Sequence, residues 1–117
     1  MITTQGLNII AQALASKFTT GEVGTDNTTP QDTDTSLVAP IVATQKAFTE
    51  NNVNANLITL IYELNISEAN GENIKEFGTF VNDGTNEQLV SRFIHPAVNK
   101  TDQIAIVYRV EYLVEKK

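Results

Sequence analysis

Apolar and polar residues alternate in two runs that flank a turn in the second half of the chain. Both runs lie within Ile74–Pro96, and the turn between them is centred on Asp83-Gly84. Because an Asp-Gly pair readily adopts the positive φ angles of a tight turn, the pattern predicts a β-hairpin. Gly78 lies in mid-strand, where glycine indicates a bulge or a close approach by other backbone. On the first arm, one predicted face carries Phe77, Thr79 and Val81, and the other carries Ile74, Gly78 and Phe80.

Two further stretches, residues 57–66 and 103–115, show the same period of two. Each predicts a strand with one continuous apolar face. In the second stretch Arg109, Glu111 and Glu115 mark the opposite face as partly solvated. The apolar faces consist of Ile58, Leu60, Tyr62, Leu64 and Ile66 in the first, and of Ile104, Ile106, Tyr108, Val110, Tyr112 and Val114 in the second.

The N-terminal residues show a helical period instead. We expect an amphipathic helix at about residues 4–18, with Thr4 as its N-terminal cap. This helix either covers one face of a sheet or packs on a neighbouring subunit. Its apolar stripe consists of Leu7, Ile10, Ala11, Leu14 and Phe18.

Residues 24–36 contain no hydrophobic side chain and are rich in residues that form turns. They predict a long exposed loop, and loops of this length are usually functional or partly disordered. Leu37 and Val38 are expected to anchor its far end. The remaining pattern predicts strands at 19–23 and 41–48, a turn at 50–52, and polar connections at 67–73 and 99–102.

Together these elements predict a mainly β fold of the α+β class. We expect an antiparallel β-sandwich-like domain of five to six strands with one N-terminal amphipathic helix. The length of 117 residues and the absence of a repeat or linker indicate a single domain at residues 1–117. A chain of this length can bury a hydrophobic core without metals or disulfides.

Composition narrows the classes of function. The formal net charge of −6 argues against a nucleic-acid-binding protein, which normally carries a basic patch. No apolar run approaches the ~20 residues that cross a bilayer, and the N-terminus lacks the features of a signal peptide. We therefore expect synthesis and folding in a cytoplasm, without membrane contact. The lack of Cys excludes disulfides, thiolate metal sites and cysteine nucleophiles.

Candidate catalytic residues are few. His95 is the one histidine, and nothing near it in sequence supplies a nucleophile or an orienting partner, so a strand-end histidine with a hydrogen-bonded or exposed ring is expected. No phosphate loop, dinucleotide fingerprint or serine elbow occurs. We expect no catalytic residue, no cofactor and no enzyme activity. Four carboxylates that could be imagined as pairs are expected to be solvated at the surface: Glu63, Glu68, Glu72 and Glu76.

The exposed loop also carries oxygen ligands of the kind that Ca²⁺ prefers. An EF-hand that starts at Asp32 fails, because Leu37 replaces the required Gly and Ala43 the required Glu. A solvated loop without metal is therefore expected, and a calcium site of another type stays open. The residues concerned are Asp26, Asn27, Asp32 and Asp34.

Several short motifs follow one another in a particular order. A helix opening at Thr4 precedes a Gly-Thr segment and a Thr/Pro/Asp-rich loop that ends at Leu37. An Ile-x-Glu-x-Gly-x-Phe strand, a Lys-Thr connection at Lys100-Thr101 and a hydrophobic last strand come later. This ordered set resembles small modules of bacteriophage tail fibre, tail-collar and baseplate proteins. The strand motif corresponds here to Ile74, Glu76, Gly78 and Phe80.

The resemblance implies a structural role in the virion of a tailed virus. The protein would assemble in the tail, fibre or baseplate as a homo-oligomer and contact other virion proteins. The apolar helix stripe and the C-terminal strand are candidate subunit contacts.

Three alternatives follow from the same residues. A capsid decoration protein on the head surface is a close variant. A receptor- or glycan-binding module would need exposed aromatic residues, whereas Tyr62, Tyr108 and Tyr112 lie on predicted core faces. A depolymerising hydrolase would need two convergent carboxylates, and no such pair is evident.

Overall fold

The structure, a computed structural model, describes residues 1–116, which form one helix and seven strands. In chain order these are α1 (Thr4–Ala15), β1 (Phe18–Gly24), β2 (Lys46–Ala47), β3 (Glu50–Asn54), β4 (Leu57–Leu64), β5 (Asn73–Asn82), β6 (Glu87–Asn99) and β7 (Ile106–Leu113). No helix in this part of the chain is long and apolar enough to cross a membrane.

The strands form two sheets. One has the order β2-β1-β5-β6 and the other β3-β4-β7, and every strand pair is antiparallel. Apolar side chains from both sheets meet between them, as where the rings of Tyr62 on β4 and Phe77 on β5 lie 5.2 Å apart. The predicted mainly β, sandwich-like fold with an N-terminal helix is confirmed. The described residues contain seven strands rather than five or six.

The predicted hairpin is present, with β5 and β6 as its arms. Gly84 adopts a φ of 101° in the turn. Asp83 Oδ1 accepts hydrogen bonds from the backbone N–H groups of Asn86 and Thr85 at 2.8 and 2.9 Å. These bonds hold the pKa of Asp83 below its usual value, so the ionised side chain stabilises the turn.

The hairpin contains two irregularities, and the extra residues lie in β6. The pairing with β5 shifts between Ile74 and Glu76 and again between Thr79 and Phe80, and at each point more residues of β6 than of β5 lie between the paired positions. Such bulges bend a strand and increase its twist. Ile74 lies in the same core cluster as Phe77, although the alternation placed the two side chains on opposite faces.

Gly78 provides space for a side chain from the long loop. A Cβ atom at Gly78 would lie 2.8 Å from Leu37 Cδ2 and 3.0 Å from Leu89 Cδ1. The close neighbours are thus side chains, so of the two interpretations of Gly78 the close approach by backbone is wrong. A pairing irregularity does lie near Gly78, between Thr79 and Phe80. Leu37 is buried and anchors the far end of the loop as predicted, whereas Val38 is exposed.

Strands β4 and β7 present the apolar faces that their alternation predicted. Ile66 lies beyond the end of β4 and is exposed, and Ile104 lies before the start of β7 and is also exposed. On β7 the predicted inner side chains are half-buried, and those between them are exposed. The fully buried residues of β4 are Ile58, Leu60, Tyr62 and Leu64.

Helix α1 is shorter than predicted. Thr3, not Thr4, is its N-terminal cap, because Thr3 Oγ1 accepts a hydrogen bond from the Gly6 N–H at 3.0 Å. The helix ends at Ala15, since Phe18 already begins β1.

One face of α1 packs on the core beside β4. Ala11 and Ala15 are buried in one cluster with Ile58 and Leu60. Of the two predicted roles for the helix, it covers a sheet within its own chain. Ile10, which we expected in the buried stripe, is exposed.

Residues 41–48 do not form the predicted strand, because only Lys46–Ala47 pairs with β1. Thr44 Oγ1 donates a hydrogen bond to the Ile41 carbonyl oxygen at 2.8 Å. Ala43 adopts a positive φ of 69° between them. This local turn interrupts the extended backbone that the apolar residues suggested.

The predicted turn at 50–52 is also wrong, because these residues begin β3. Strand β3 pairs along its whole length with β4, and the turn that joins them lies at Ala55-Asn56. Every residue of β3 is exposed. An exposed strand rich in Asn has no apolar alternation, so its sequence could not distinguish it from a turn.

A buried lysine holds the connection between β4 and β5. Lys100 is completely buried, and its Nζ donates hydrogen bonds to Asn70 Oδ1 at 2.8 Å and to the Thr101 carbonyl oxygen at 2.9 Å. Its backbone carbonyl oxygen accepts the Gly71 N–H at 2.8 Å. The polar connection at residues 65–72 is therefore attached to the start of the segment that leads to β7.

Candidate functional site

A buried ion pair lies beneath the long polar loop. Glu76 of β5 is completely buried, and Arg92 of β6 is nearly so. Arg92 Nε donates a hydrogen bond to Glu76 Oε1 at 2.8 Å. Because a charge removed from water is costly unless it is paired, each side chain compensates the other.

The Glu76 carboxylate also binds the backbone of the loop. Its Oε2 accepts the N–H groups of Asp26 and Ala39 at 3.2 and 2.9 Å, and its Oε1 accepts the N–H of Val38 at 3.0 Å. Buried backbone N–H groups need acceptors, which neighbouring strands usually supply. Here one carboxylate supplies them at both ends of the loop.

Arg92 extends the attachment further into the loop. Its Nη1 donates to the Thr28 carbonyl oxygen at 2.7 Å and lies 3.6 Å from Asp34 Oδ2. Its Nη2 lies 3.3 Å from Asp26 Oδ1. Hydrogen bonds from Thr28, together with the charge of Arg92, hold the pKa of Asp26 below its usual value. We refer to Glu76, Arg92, Asp26 and Asp34 as the loop clamp.

The loop clamp accounts for part of the candidate metal site. Asp26 and Asp34 come together around Arg92, whereas Asn27 and Asp32 remain exposed. The guanidinium group therefore occupies the position among the carboxylates that a cation would take. Within residues 1–116, no group of three or more His, Asp or Glu side chains is arranged to hold a metal ion.

The four carboxylates that we expected at the surface have different surroundings. Glu63 and Glu72 are exposed, and Glu68 forms a salt bridge with Lys46. Glu76 is buried in the loop clamp, so the expectation of a solvated side chain is wrong for this residue.

An apolar groove lies at an open edge of the sandwich, between the edge strands β6 and β7. Its volume is about 520 Å³. Phe77 and Tyr108 stack in its wall with ring centroids 4.2 Å apart. We call this feature the open-edge groove. Its lining includes Phe77, Phe93, Ile94, Val98, Ile106 and Tyr108.

His95 joins β6 to β7 beside the open-edge groove. Its Nδ1 lies 2.8 Å from the Pro96 carbonyl oxygen, and its Nε2 lies 2.7 Å from the Tyr108 hydroxyl. A carbonyl oxygen can only accept, so Nδ1 carries a proton and donates to Pro96, and Nε2 shares a hydrogen bond with the Tyr108 hydroxyl. Burial raises the pKa of Tyr108, which keeps its hydroxyl protonated. With a hydrogen-bond partner at each ring nitrogen, His95 links β6 to β7.

The chain's sequence matches neither a known protein-family model nor a curated protein. What the molecule does is therefore inferred from the surfaces that it exposes. Exposed apolar side chains concentrate on three elements, and such concentrations mark interaction sites. They are Val90, Phe93 and Ile94 on β6, Val107 and Leu113 on β7, and Ile2, Ile9 and Ile10 at the helix.

The loop clamp is the feature that reading the sequence missed, although a signal was present. Glu76 and Arg92 each stand in an arm of the predicted hairpin whose two faces both carry apolar residues. A charged residue in such a strand must be paired when it is buried. The apolar alternation of the hairpin arms could thus have predicted the Glu76–Arg92 ion pair. It could not have predicted that the backbone of the long loop also binds these two side chains.

Proposed function

We propose that the protein is a non-enzymatic structural component of a tailed-virus particle, located in the tail, fibre or baseplate. It assembles through homo-oligomeric contacts and contacts with other virion proteins. The observation that carries the proposal is the row of exposed apolar side chains along the free edges of β6 and β7. An unpaired strand edge with apolar side chains is suited to bind another protein chain.

The loop clamp joins two of the motifs on which the resemblance to phage tail modules is based. Two of the resembling motifs, the polar loop and the Ile-x-Glu-x-Gly-x-Phe strand, contact each other directly. Glu76 of the strand motif binds the loop backbone, and Gly78 leaves room for Leu37 at the loop's end. The motifs therefore act as one structural unit, in which the strand holds the loop in a defined position.

Immunogold electron microscopy tests the proposal directly. Antibodies against the recombinant chain are applied to purified particles produced from the genome that encodes it, and mass spectrometry measures its copy number. Label on the tail, fibre or baseplate is the expected result. Label on the head surface would instead favour a capsid decoration protein. Absence of the chain from purified particles would refute a virion role.

The open-edge groove favours a receptor- or glycan-binding module as the second candidate. Phe93 stands 41% exposed at the groove, as a sugar-stacking aromatic residue requires. Tyr62 is less suited, because it is buried and its hydroxyl donates to the Thr44 carbonyl oxygen at 2.6 Å. If the chain is a binding module, it should adsorb to host cells, and Phe93→Ala should abolish this adsorption. Val42→Ala, at an exposed apolar residue of the turn at 41–44, should leave the adsorption unchanged. Equal adsorption of both variants would exclude the groove.

A further inference from the structure

The four sheet edges of the described chain differ in how well they are protected against pairing with another strand. Strand β2 has two residues, and β3 is polar and contacts α1. The edge of β6 contains Pro96, which lacks an N–H group, and its pairing with β5 is irregular. Strand β7 has eight residues, no proline and a regular register with β4. Natural proteins usually blunt such an edge with short strands, prolines, bulges or charged side chains. Strand β7 lacks the first three, and its two charged side chains, Arg109 and Glu111, have opposite signs.

The outward face of β7 has a self-complementary order of side chains. Val107, Arg109, Glu111 and Leu113 alternate along it, and all four are exposed. The two outer residues are apolar, with 58% of Val107 and 55% of Leu113 exposed. The two inner residues carry opposite charges. Reversing the strand direction therefore places an apolar residue on an apolar one and each charge on its opposite.

We infer that the edge of β7 pairs antiparallel with the β7 edge of a second copy of this chain, about a two-fold axis through Val110. In this register Arg109 lies opposite the partner's Glu111, and Val107 lies opposite the partner's Leu113. The symmetry produces each pair twice. Directly opposite side chains of an antiparallel pair have Cβ atoms about 4.5–5.5 Å apart, close enough for both kinds of contact. The two three-stranded sheets become one continuous six-stranded sheet.

The neighbouring registers are unfavourable, so the pattern selects this one. A two-fold axis through Arg109 would place Arg109 opposite the partner's Arg109, and an axis through Glu111 would place Glu111 opposite the partner's Glu111. In both cases like charges lie directly opposite each other, which is destabilising. A shift by one residue instead pairs the wet face of one strand with the core face of the other. Within one chain the Arg109 Nη2 and Glu111 Oε2 atoms are 3.5 Å apart, and both side chains remain largely exposed. Both charges are thus available to a partner strand.

The inference deepens the proposed homo-oligomeric assembly by naming its contact surface. Both copies turn their core faces to the same side of the joined sheet, because the axis is perpendicular to it. The two open-edge grooves therefore meet at the axis, and the partner shields the apolar side chains of β6. The exposed apolar surface at this edge is then explained by one isologous contact.

Light scattering over a range of protein concentrations tests the contact. The wild-type chain is expected to form a dimer. Arg109→Glu and Glu111→Arg each turn two opposite-charge pairs into two like-charge pairs, so each is expected to raise the dissociation constant roughly tenfold or more. The double variant R109E/E111R restores both pairs and should dimerise like the wild type. Lys17→Glu serves as the control, because it changes the charge by the same amount at an exposed residue just after α1, outside β7.

Mixing the two single variants gives the sharpest result. R109E carries two acidic residues on this face and E111R two basic ones, so the mixture should form a heterodimer although neither variant pairs with itself. Circular dichroism confirms that each variant is folded. A wild-type monomer at all concentrations, a trimer, or single variants that dimerise normally would each overturn the inference. These outcomes do not affect the particle-labelling test, in which a negative result would refute the virion role alone.

Discussion

Replacing Glu76 with Gln removes the negative charge of the loop clamp while preserving the shape of the side chain. All four hydrogen-bond partners of the carboxylate are N–H donors, from Asp26, Val38, Ala39 and Arg92. An amide has one oxygen and one NH₂ group. Whichever way the Gln amide is turned, its NH₂ faces two of these donors, and their hydrogen bonds are lost.

The expected loss of stability is large because the partners are buried. Breaking a buried ion pair by removing one charge costs about 3–5 kcal/mol, since the other charge is left uncompensated. Asp26 and Asp34 still contact Arg92 but are partly exposed, so we expect a value near the lower end, about 3 kcal/mol. This is a considerable part of the ~5–15 kcal/mol that separates folded from unfolded states of typical domains.

Urea unfolding of the Glu76→Gln variant measures the loss, and Glu63→Gln on the exposed face of β4 provides the matched control. The control is expected to change the free energy of unfolding by less than about 0.5 kcal/mol. Hydrogen exchange adds a local readout: the amides of Val38 and Ala39 should exchange faster in the variant. If Glu76→Gln matches the control in stability and these amides stay protected, the carboxylate does not hold the loop.

Three further changes probe other parts of the fold. Burial and the nearby carboxylate of Glu76 raise the pKa of Glu22, so the folded state disfavours the charged form of Glu22. The Glu22→Gln variant should therefore be more stable than the wild type at pH 7 and equally stable well below pH 4, where Glu22 is protonated in both the folded and the unfolded state. Urea unfolding at the two pH values measures the difference. Gly78→Ala should lower the free energy of unfolding by about 1–3 kcal/mol, because the added methyl group overpacks the site beside Leu37. In a double-mutant cycle with Leu37→Ala, the two losses of unfolding free energy should be non-additive, because the two sites are in contact. Lys100→Met removes two hydrogen bonds that the completely buried Lys100 side chain donates, to Asn70 and Thr101, and should lower the free energy of unfolding by about 1–3 kcal/mol in thermal unfolding. Lys17→Met, at an exposed lysine, should have little effect.

The sequence by itself determined the elements whose signals are local. The Asp83-Gly84 turn and the alternation on either side of it predicted the hairpin, and the period of two predicted β4 and β7 with their inner faces. These predictions succeeded because the conformation of a tight turn depends on its own residues, and because one buried face requires an apolar residue at every second position. The exposure of most of the loop followed in the same way from its lack of apolar side chains.

Only the tertiary structure decided the elements whose conformation depends on distant partners. Strand β3 exists because β4 offers it an edge, and the bulges of β6 depend on its pairing with β5. Likewise, the extended backbone expected at 41–48 gave way to a turn held by Thr44.

The candidate sites divide along the same line. The charges at Glu76 and Arg92 are visible in the sequence, but they lie 16 residues apart, and the loop amides that complete the clamp lie 37 to 50 residues from Glu76. The order of side chains on β7 is equally visible, yet its role depends on whether a neighbouring strand covers that edge. A sequence specifies which groups must be paired when they are buried; the folded chain determines which groups are buried and which partners reach them, because burial arises from contacts that span the whole molecule.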